Sequence, residues 1–315
     1  VLLGLPAFVA VQLRPFRYKM ANPSAVAQSP SRQPPEHCLY FRPATLNEAI
    51  HALSDRSVQI LSGGTDFYPA LGDRPVTQPV LDISGVRELR GIVIEPDFIR
   101  IGGLTTWTDV IATPVPRCFD ALKMAAREVG SIQIQNRGTV AGNLCNASPA
   151  ADGVPPLLAL DAEIELASRA GQRRLPLSEF LVGNRKTQRR GDEILTNIYV
   201  PHAVDDAPSV FLKLGSRRYL VISISMVAAI VKKDAQGRVS DARVAVGSCS
   251  ATAQRLHELE RALIGAPACS GLGEVVSPEH LTELSPIDDI RATGSYRLDA
   301  SLTMVRRALE ICIQE

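Results

Sequence analysis

Two glycine-rich runs hold the residues best suited to chemistry. The first is Ile60-Leu61-Ser62-Gly63-Gly64-Thr65-Asp66-Phe67, and the second extends from Arg137 to Asp152. Each sets adjacent small residues where backbone N–H groups can turn toward an anion with no Cβ in the way. Each adds hydroxyl, amide or carboxylate groups that bond a sugar or a phosphate. In the second run, Asn143 and Asp152 suit ribose hydroxyls, while Thr139 and the Gly142 backbone suit phosphate oxygens. Brought together by a fold, the two runs could grip both phosphates of a dinucleotide. Neither is a standard nucleotide signature, since the chain has no G-x-G-x-x-G after a strand and no G-x-x-x-x-G-K-[ST]. A plain tight turn is the competing reading of Gly63-Gly64. Its position after an apolar run and before Thr65-Asp66 favours a loop that offers N–H groups to a phosphate.

Other candidates are weaker. Lys213 lies inside the apolar run Val210–Leu214. It reads either as a solvated lysine on an edge strand or as a cation near an electron-rich cofactor edge. Arg217-Arg218 reads as surface charge or as a phosphate contact. No two of the six cysteines stand at C-x-x-C spacing, and the five histidines form no metal-binding pattern. Scattered thiols of this kind suit a cytoplasmic protein. The net charge of +1 and the aromatic content of 5% argue against nucleic acid as a partner.

The elements that must position these residues are legible in outline. Residues 1–35 read as a loosely ordered leader: basic residues follow the apolar start, the reverse of an export signal, and the apolar run is too short to span a bilayer. Thr45 with Glu48 predicts a capping box for a helix over Leu46–Leu53. Strands are expected at Val58–Leu61, Val80–Ile83, Ile92–Ile94 and Phe98–Ile101, the last two as a hairpin. Thr106 is expected to cap a helix over Trp107–Ile111, with further helices at Phe119–Val129 and Pro155–Leu160. The alternation of Glu163 and Glu165 with Ile164 and Leu166 predicts a half-exposed strand. A strand at Ile194–Val200 stops at Pro201. The polar stretch after it sets a boundary between a domain of residues 36–203 and one of 204–315. The second domain reads as an α+β module: strands at Val210–Leu214, Ile222–Val231 and Val239–Val246, with helices over Thr252–Leu263 and Ser295–Ile313 packed on one face.

Both glycine-rich runs, in this order and spacing, resemble those of the FAD-binding medium subunit of molybdenum hydroxylases, the carbon monoxide dehydrogenase and xanthine dehydrogenase type. The resemblance continues through Leu81–Leu89, Ile101–Thr106, Phe211–Arg218 and Asp288–Arg291. It implies an α+β fold in which a two-subdomain PCMH-type FAD-binding domain precedes a C-terminal domain that leans on the flavin. Ile60–Phe67 would wrap the pyrophosphate. Val129, Thr139, Asn143, Asp152, Leu195 and Lys213 match further FAD positions, and Ile222 would lie against the ring. Two departures stand out: Ala141 replaces a glycine of the usual motif, and Val221 replaces an acidic residue found in several relatives.

The resemblance further implies an oxidoreductase subunit that takes electrons from a partner's iron–sulfur clusters and passes them to NAD or another acceptor. An iron–sulfur small subunit and a molybdopterin large subunit would complete a dimer of heterotrimers. This chain lacks the cysteine spacing for the clusters and the length for the molybdopterin subunit. Two alternatives stay open: a stand-alone FAD-dependent oxidase or dehydrogenase, and a dinucleotide-binding scaffold.

Overall fold

Parallel strands need a crossover, and the first described segment supplies one. In the computed structural model, which describes residues 40–55 and 58–314, strands β1 (Tyr40–Phe41), β2 (Gln59–Leu61) and β3 (Val80–Asp82) pair in parallel in the order β1-β3-β2. The leader expected over 1–35 lies outside these residues. Helix α1 (Leu46–Asp55) connects β1 to β2 and buries Ala49, Ala52 and Leu53 among Leu81, Ile83 and Val86. Its start is a displaced capping box. Glu48 N–H donates to Thr45 Oγ1 at 3.2 Å, but the Glu48 carboxylate accepts from Ala44 N–H at 2.9 Å, one residue behind the cap.

The chain then builds a larger antiparallel layer. After α2 (Phe67–Leu71), strands β4 (Ile92–Ile94) and β5 (Phe98–Gly102) form the expected hairpin. Helices α3 (Trp107–Ala112), α4 (Asp120–Glu128), α5 (Ile132–Gln135), α6 (Val140–Asn146) and α7 (Val154–Ala159) follow. Thr106 caps α3 in a reciprocal box with Asp109. Next come β6 (Glu163–Ser168), β7 (Gly171–Pro176), the short α8 (Leu177–Phe180), the pair β8 (Leu181–Gly183) and β9 (Lys186–Thr187), and β10 (Ile194–Pro201). The five-stranded sheet has the order β4-β5-β10-β6-β7, antiparallel throughout. One face sends Ile99, Ile101, Ile164, Leu166, Ile198 and Val200 into a core with Trp107, Leu122, Leu144 and Leu157.

The opposite face corrects the half-exposed reading of β6. Glu165 is buried and accepts hydrogen bonds from Thr196 Oγ1 at 2.6 Å, Asn197 Nδ2 at 2.7 Å and Tyr199 OH at 3.1 Å. Burial opposes its ionisation, yet these bonds hold its carboxyl below the usual range. Cross-strand partners override what alternation along a single strand predicts.

The last sheet contains β11 (Ser209–Leu214), β12 (Ser225–Lys233), β13 (Val239–Gly247) and β14 (Gln254–Arg255), in that order and antiparallel. Two expectations change here. The second strand begins at Ser225, not Ile222, because residues 215–224 form a loop in which Leu220 adopts a φ of 52°. The expected helix over Thr252–Leu263 is a two-residue edge strand followed by α9 (His257–Leu263). The final helix, α10 (Gly294–Gln314), packs Val305, Ala308, Leu309 and Cys312 on Val227, Ala229 and Val231. Each fully buried Val or Leu there contributes about 1.5–3 kcal/mol. The module's own helices α9 and α10 lie on one face, as expected. The other face is covered too: Ala228, Ile230 and Ala245 belong to the same core as α4 and α7. Among the described helices, none is long and apolar enough to cross a membrane.

Candidate functional site

The fold brings the two glycine-rich runs into direct contact. β2 ends at Leu61, and the chain turns through Ser62–Gly64 with Gly64 at a φ of 78°, a left-handed conformation that favours glycine. Gly63 lies against the backbone of the second run: a Cβ there would stand 1.9 Å from the Arg137 carbonyl oxygen. Ser62 Oγ and Thr139 Oγ1 are 3.0 Å apart, and Asn146 Nδ2 donates to Asp66 Oδ1 at 2.9 Å. Asn146 Oδ1 in turn accepts from Arg185, which sits at the tip of the β8–β9 pair. Neither β8–β9 nor the Arg185 contact has a signal in the sequence.

Part of the second run is helical. Thr139 caps α6, its Oγ1 accepting from Gly142 N–H at 3.0 Å. The Gly142 N–H expected to meet a phosphate is therefore given to the cap. What Gly142 contributes is space, since a Cβ would stand 2.8 Å from Thr139 Oγ1. Asn143 is different. Its Oδ1 is buried with no hydrogen-bond partner among the described residues, beside Gly153 and the buried Trp107. Such an orphan is costly unless a ligand donates to it.

Asp152 and Lys213 meet as a buried ion pair at 2.6 Å, their side chains 9% and 7% exposed. The solvated reading of Lys213 thus fails, although β11 is an edge strand. Lys213 Nζ also donates to the Glu128 carbonyl at 3.4 Å, and Ser223 Oγ donates to Asp152 Oδ1 at 2.8 Å. Burial raises the Asp152 carboxyl above its ordinary pKa, against the opposing pull of Lys213 and Ser223. Both Asp152 oxygens are engaged by protein, so a ribose hydroxyl would have to share them.

The remaining candidates sit around this centre. Val129 ends α4 next to Glu128, ahead of Gly130 at a φ of 53°. Leu195 is buried in β10, and its carbonyl stands where a Cβ on Gly103 would come within 2.4 Å. Gly103 leads into Thr105 and Thr106, which join the second run through Val140 N–H to Thr105 O at 2.9 Å and a bridge between Thr106 and Thr139. Ile222 is 52% exposed, on the loop anchored by Ser223. Ile60 and Leu61 form the strand that feeds the first turn, Thr65 packs near Gly138, and Phe67 opens α2 edge-on to Tyr68. Ser223 carries no signal in the sequence beyond its place next to Ile222. Cys145, inside α6, keeps its proton, because burial pushes its thiol up to about 11.

Together, two tight turns, an unpartnered acceptor and an ion pair bonded to the base of an exposed apolar loop suit an extended, anionic, aromatic ligand. Comparison with known proteins bears on which one. Residues 32–203 match the model of the FAD binding domain in molybdopterin dehydrogenase, and residues 211–311 match the CO dehydrogenase flavoprotein C-terminal domain. The nicotinate dehydrogenase FAD-subunit of Eubacterium barkeri is 35% identical, covering 76% of this chain and 83% of that one. The xanthine dehydrogenase FAD-binding subunit of Escherichia coli O157:H7 is 33% identical, covering 86% of this chain and 94% of that one. Among solved structures, carbon monoxide dehydrogenase from Hydrogenophaga pseudoflava superposes with a TM-score of 0.79 at 26% identity, covering 89% of this chain and 98% of that one.

Proposed function

The chain belongs to the flavoprotein family defined by the FAD binding domain of molybdopterin dehydrogenases, and we propose that it is the FAD-binding electron-transfer subunit of a heteromeric molybdenum hydroxylase. The observation that carries the site assignment is the junction of the two glycine-rich runs beside a buried Asn143 acceptor that no described residue satisfies. FAD fits it, with a pyrophosphate for the N–H groups of the first turn and hydroxyls that can donate to Asn143 Oδ1. When bound, the flavin supplies electron exchange between one-electron clusters and an external acceptor.

The residues of this chain bind and orient. Ile60–Phe67 would hold the pyrophosphate, with Gly63 and Gly64 permitting a close backbone approach. Thr139 and Gly142 shape the start of α6 and so place Asn143. Val129 and Ile222 would supply apolar surface to the ring, and Leu195, whose side chain is buried in β10, would contribute its backbone. Asp152 and Lys213 would offer the ligand a neutral pair, in which the lysine is not an isolated buried charge. FAD is held without a covalent bond, since the first turn, Ile60–Phe67, holds neither histidine nor cysteine.

The partners are an iron–sulfur subunit and a molybdopterin subunit, assembled as a dimer of heterotrimers, with NAD or another acceptor receiving the electrons. Co-expression with those subunits should give a complex that carries iron, molybdenum and FAD. Acid should release all yellow colour to the supernatant. Under anaerobic conditions, organic substrates should bleach the flavin of the complex and leave the isolated chain yellow. Rapid bleaching of the isolated chain would overturn the subunit reading in favour of a stand-alone flavoenzyme.

A further inference from the structure

The loop between β11 and β12 combines an exposed apolar tip with a deeply anchored return. Tyr219, Leu220 and Ile222 are 68%, 55% and 52% exposed. The tip is braced from within: Arg217 donates to the Leu220 carbonyl, and Val221 packs so closely on Gly215 that a Cβ there would stand 2.4 Å from Val221 Cγ1. Immediately after the tip the chain dives into the protein. Ser223 is buried, with Oγ 2.8 Å from Asp152 Oδ1. Ile224 N–H donates to Leu214 O at 2.7 Å, and Ile224 O accepts from Arg297 Nη1 at 2.5 Å.

Arg297 reaches out from α10 and is itself buried. Asp289 meets its charge at 2.8 Å, and Nη1 also donates to the Ser248 carbonyl at 3.2 Å. Ser248, held at a φ of 64°, donates its N–H to Pro149 O at 3.0 Å. Both anchors therefore lead back to one short stretch of the second glycine-rich run. Ser223 reaches Asp152 directly, and Arg297 reaches Pro149 by way of Ser248. Two buried routes from one loop to one stretch fix a separation, because each charge-assisted bond resists a different displacement.

We infer that Ser223 and Arg297 are positioning residues that set the distance between the Tyr219–Ile222 tip and the second glycine-rich run, and so the width of the slot left for a planar ring. The inference rests on the reading of Ile222 as ring-facing, and the test separates the two. Iodide quenching of flavin fluorescence is measured on the FAD-loaded full-length chain carrying Ser223→Ala, Arg297→Lys or Ile222→Ala. Trypsin cleavage after Arg217 and Arg218 is followed in parallel without FAD. The expected result for Ser223→Ala is a roughly fivefold rise in both quenching and cleavage, the population shift that one net hydrogen bond controls. Arg297→Lys should act in the same direction, since an ammonium cannot span Ile224, Ser248 and Asp289 as a fork does. Ile222→Ala should raise quenching alone. If Ile222→Ala raises quenching while both anchor variants behave like the parent, the positioning role falls and the ring-facing reading stands. If Ile222→Ala leaves quenching unchanged, the ring-facing reading falls and the inference with it. Loss of the folded circular-dichroism spectrum in both anchor variants would mark them as fold determinants and overturn the inference as well.

Discussion

The junction of the two glycine-rich runs and the loop between β11 and β12 are built on opposite principles. At the junction, backbone meets backbone: Gly63 touches the Arg137 carbonyl, and the side chains involved are short. The loop is held by side chains that arrive from distant elements, Asp152 from the second run and Arg297 from α10. One is rigid because nothing larger than hydrogen fits, and it tolerates no side chain. The other is set by a few polar contacts, and substitution there is expected to retune it while the fold stays. Holding the ligand's phosphates needs the first property. Adjusting access to its ring needs the second.

The largest expected effect breaks the junction. Gly63→Ala must displace the Arg137 backbone, since the new Cβ would sit 1.9 Å from its oxygen. Gly64→Val must place a β-branched residue at a φ of 78°, which costs at least about 1–2 kcal/mol before any clash with Tyr68 is counted. Both variants should purify colourless while the C-terminal domain stays folded. Flavin content near the parent level in Gly64→Val would show that the first turn is structural and binds nothing.

Next comes the ion pair that joins the two regions. Lys213→Met leaves Asp152 buried without its partner and should destabilise by about 3–5 kcal/mol, as removal of one member of a buried pair does. The double variant Asp152→Asn/Lys213→Met should recover much of that loss. Urea unfolding of the four forms closes the cycle. Additive losses would mean that the pair contributes nothing as a pair.

A smaller effect separates stability from binding at one atom. Asn143 Oδ1 is buried and unpartnered among the described residues, so Asn143→Ala removes a desolvated acceptor. The FAD-free protein should keep or gain stability, whereas FAD affinity should fall roughly tenfold, the value of one well-made hydrogen bond at about 1.4 kcal/mol. Thermal melts with and without FAD read both signs at once. A drop in the FAD-free melt with unchanged FAD affinity would move Asn143 from the site to the fold.

The same contrast explains how much the sequence discloses. Gly63-Gly64 and the run from Arg137 to Asp152 are legible because a backbone that must come close shows itself as glycine and small residues in a row. The hairpin β4–β5, the Thr106 cap and the long last helix are legible because local patterns make them. Contacts between segments far apart in sequence leave no such trace. Ser223 looks like any serine beside an apolar run, and its meaning comes from Asp152, 71 positions away. Glu165 follows strand alternation perfectly and is buried nonetheless, because Thr196, Asn197 and Tyr199 on β10 lie opposite it. The break of the strand expected from Ile222 has the same origin, since the return of the loop at Ile224 is fixed by Leu214 and Arg297.

The smallest expected effect lies outside both regions and serves as their control. His202 follows β10, and both of its ring nitrogens face acceptors: Nδ1 is 2.7 Å from Asp205 Oδ2, and Nε2 is 2.7 Å from the Glu95 carbonyl. A neutral imidazole can donate from one nitrogen only, so the protonated ring fits both partners. The Glu95 carbonyl and then the Asp205 carboxylate raise its pKa above the ordinary 6.5. A group whose folded pKa is raised binds its proton more tightly in the folded state. Its contribution is therefore complete below about pH 6.5 and is lost as pH climbs through the raised value. His202→Gln should flatten that slope of stability between neutral and mildly alkaline pH and leave flavin content untouched, because the ring contacts neither the glycine-rich junction nor the loop between β11 and β12. Urea midpoints of parent and variant at several pH values measure the slope, and parallel profiles would show that His202 carries no linked proton.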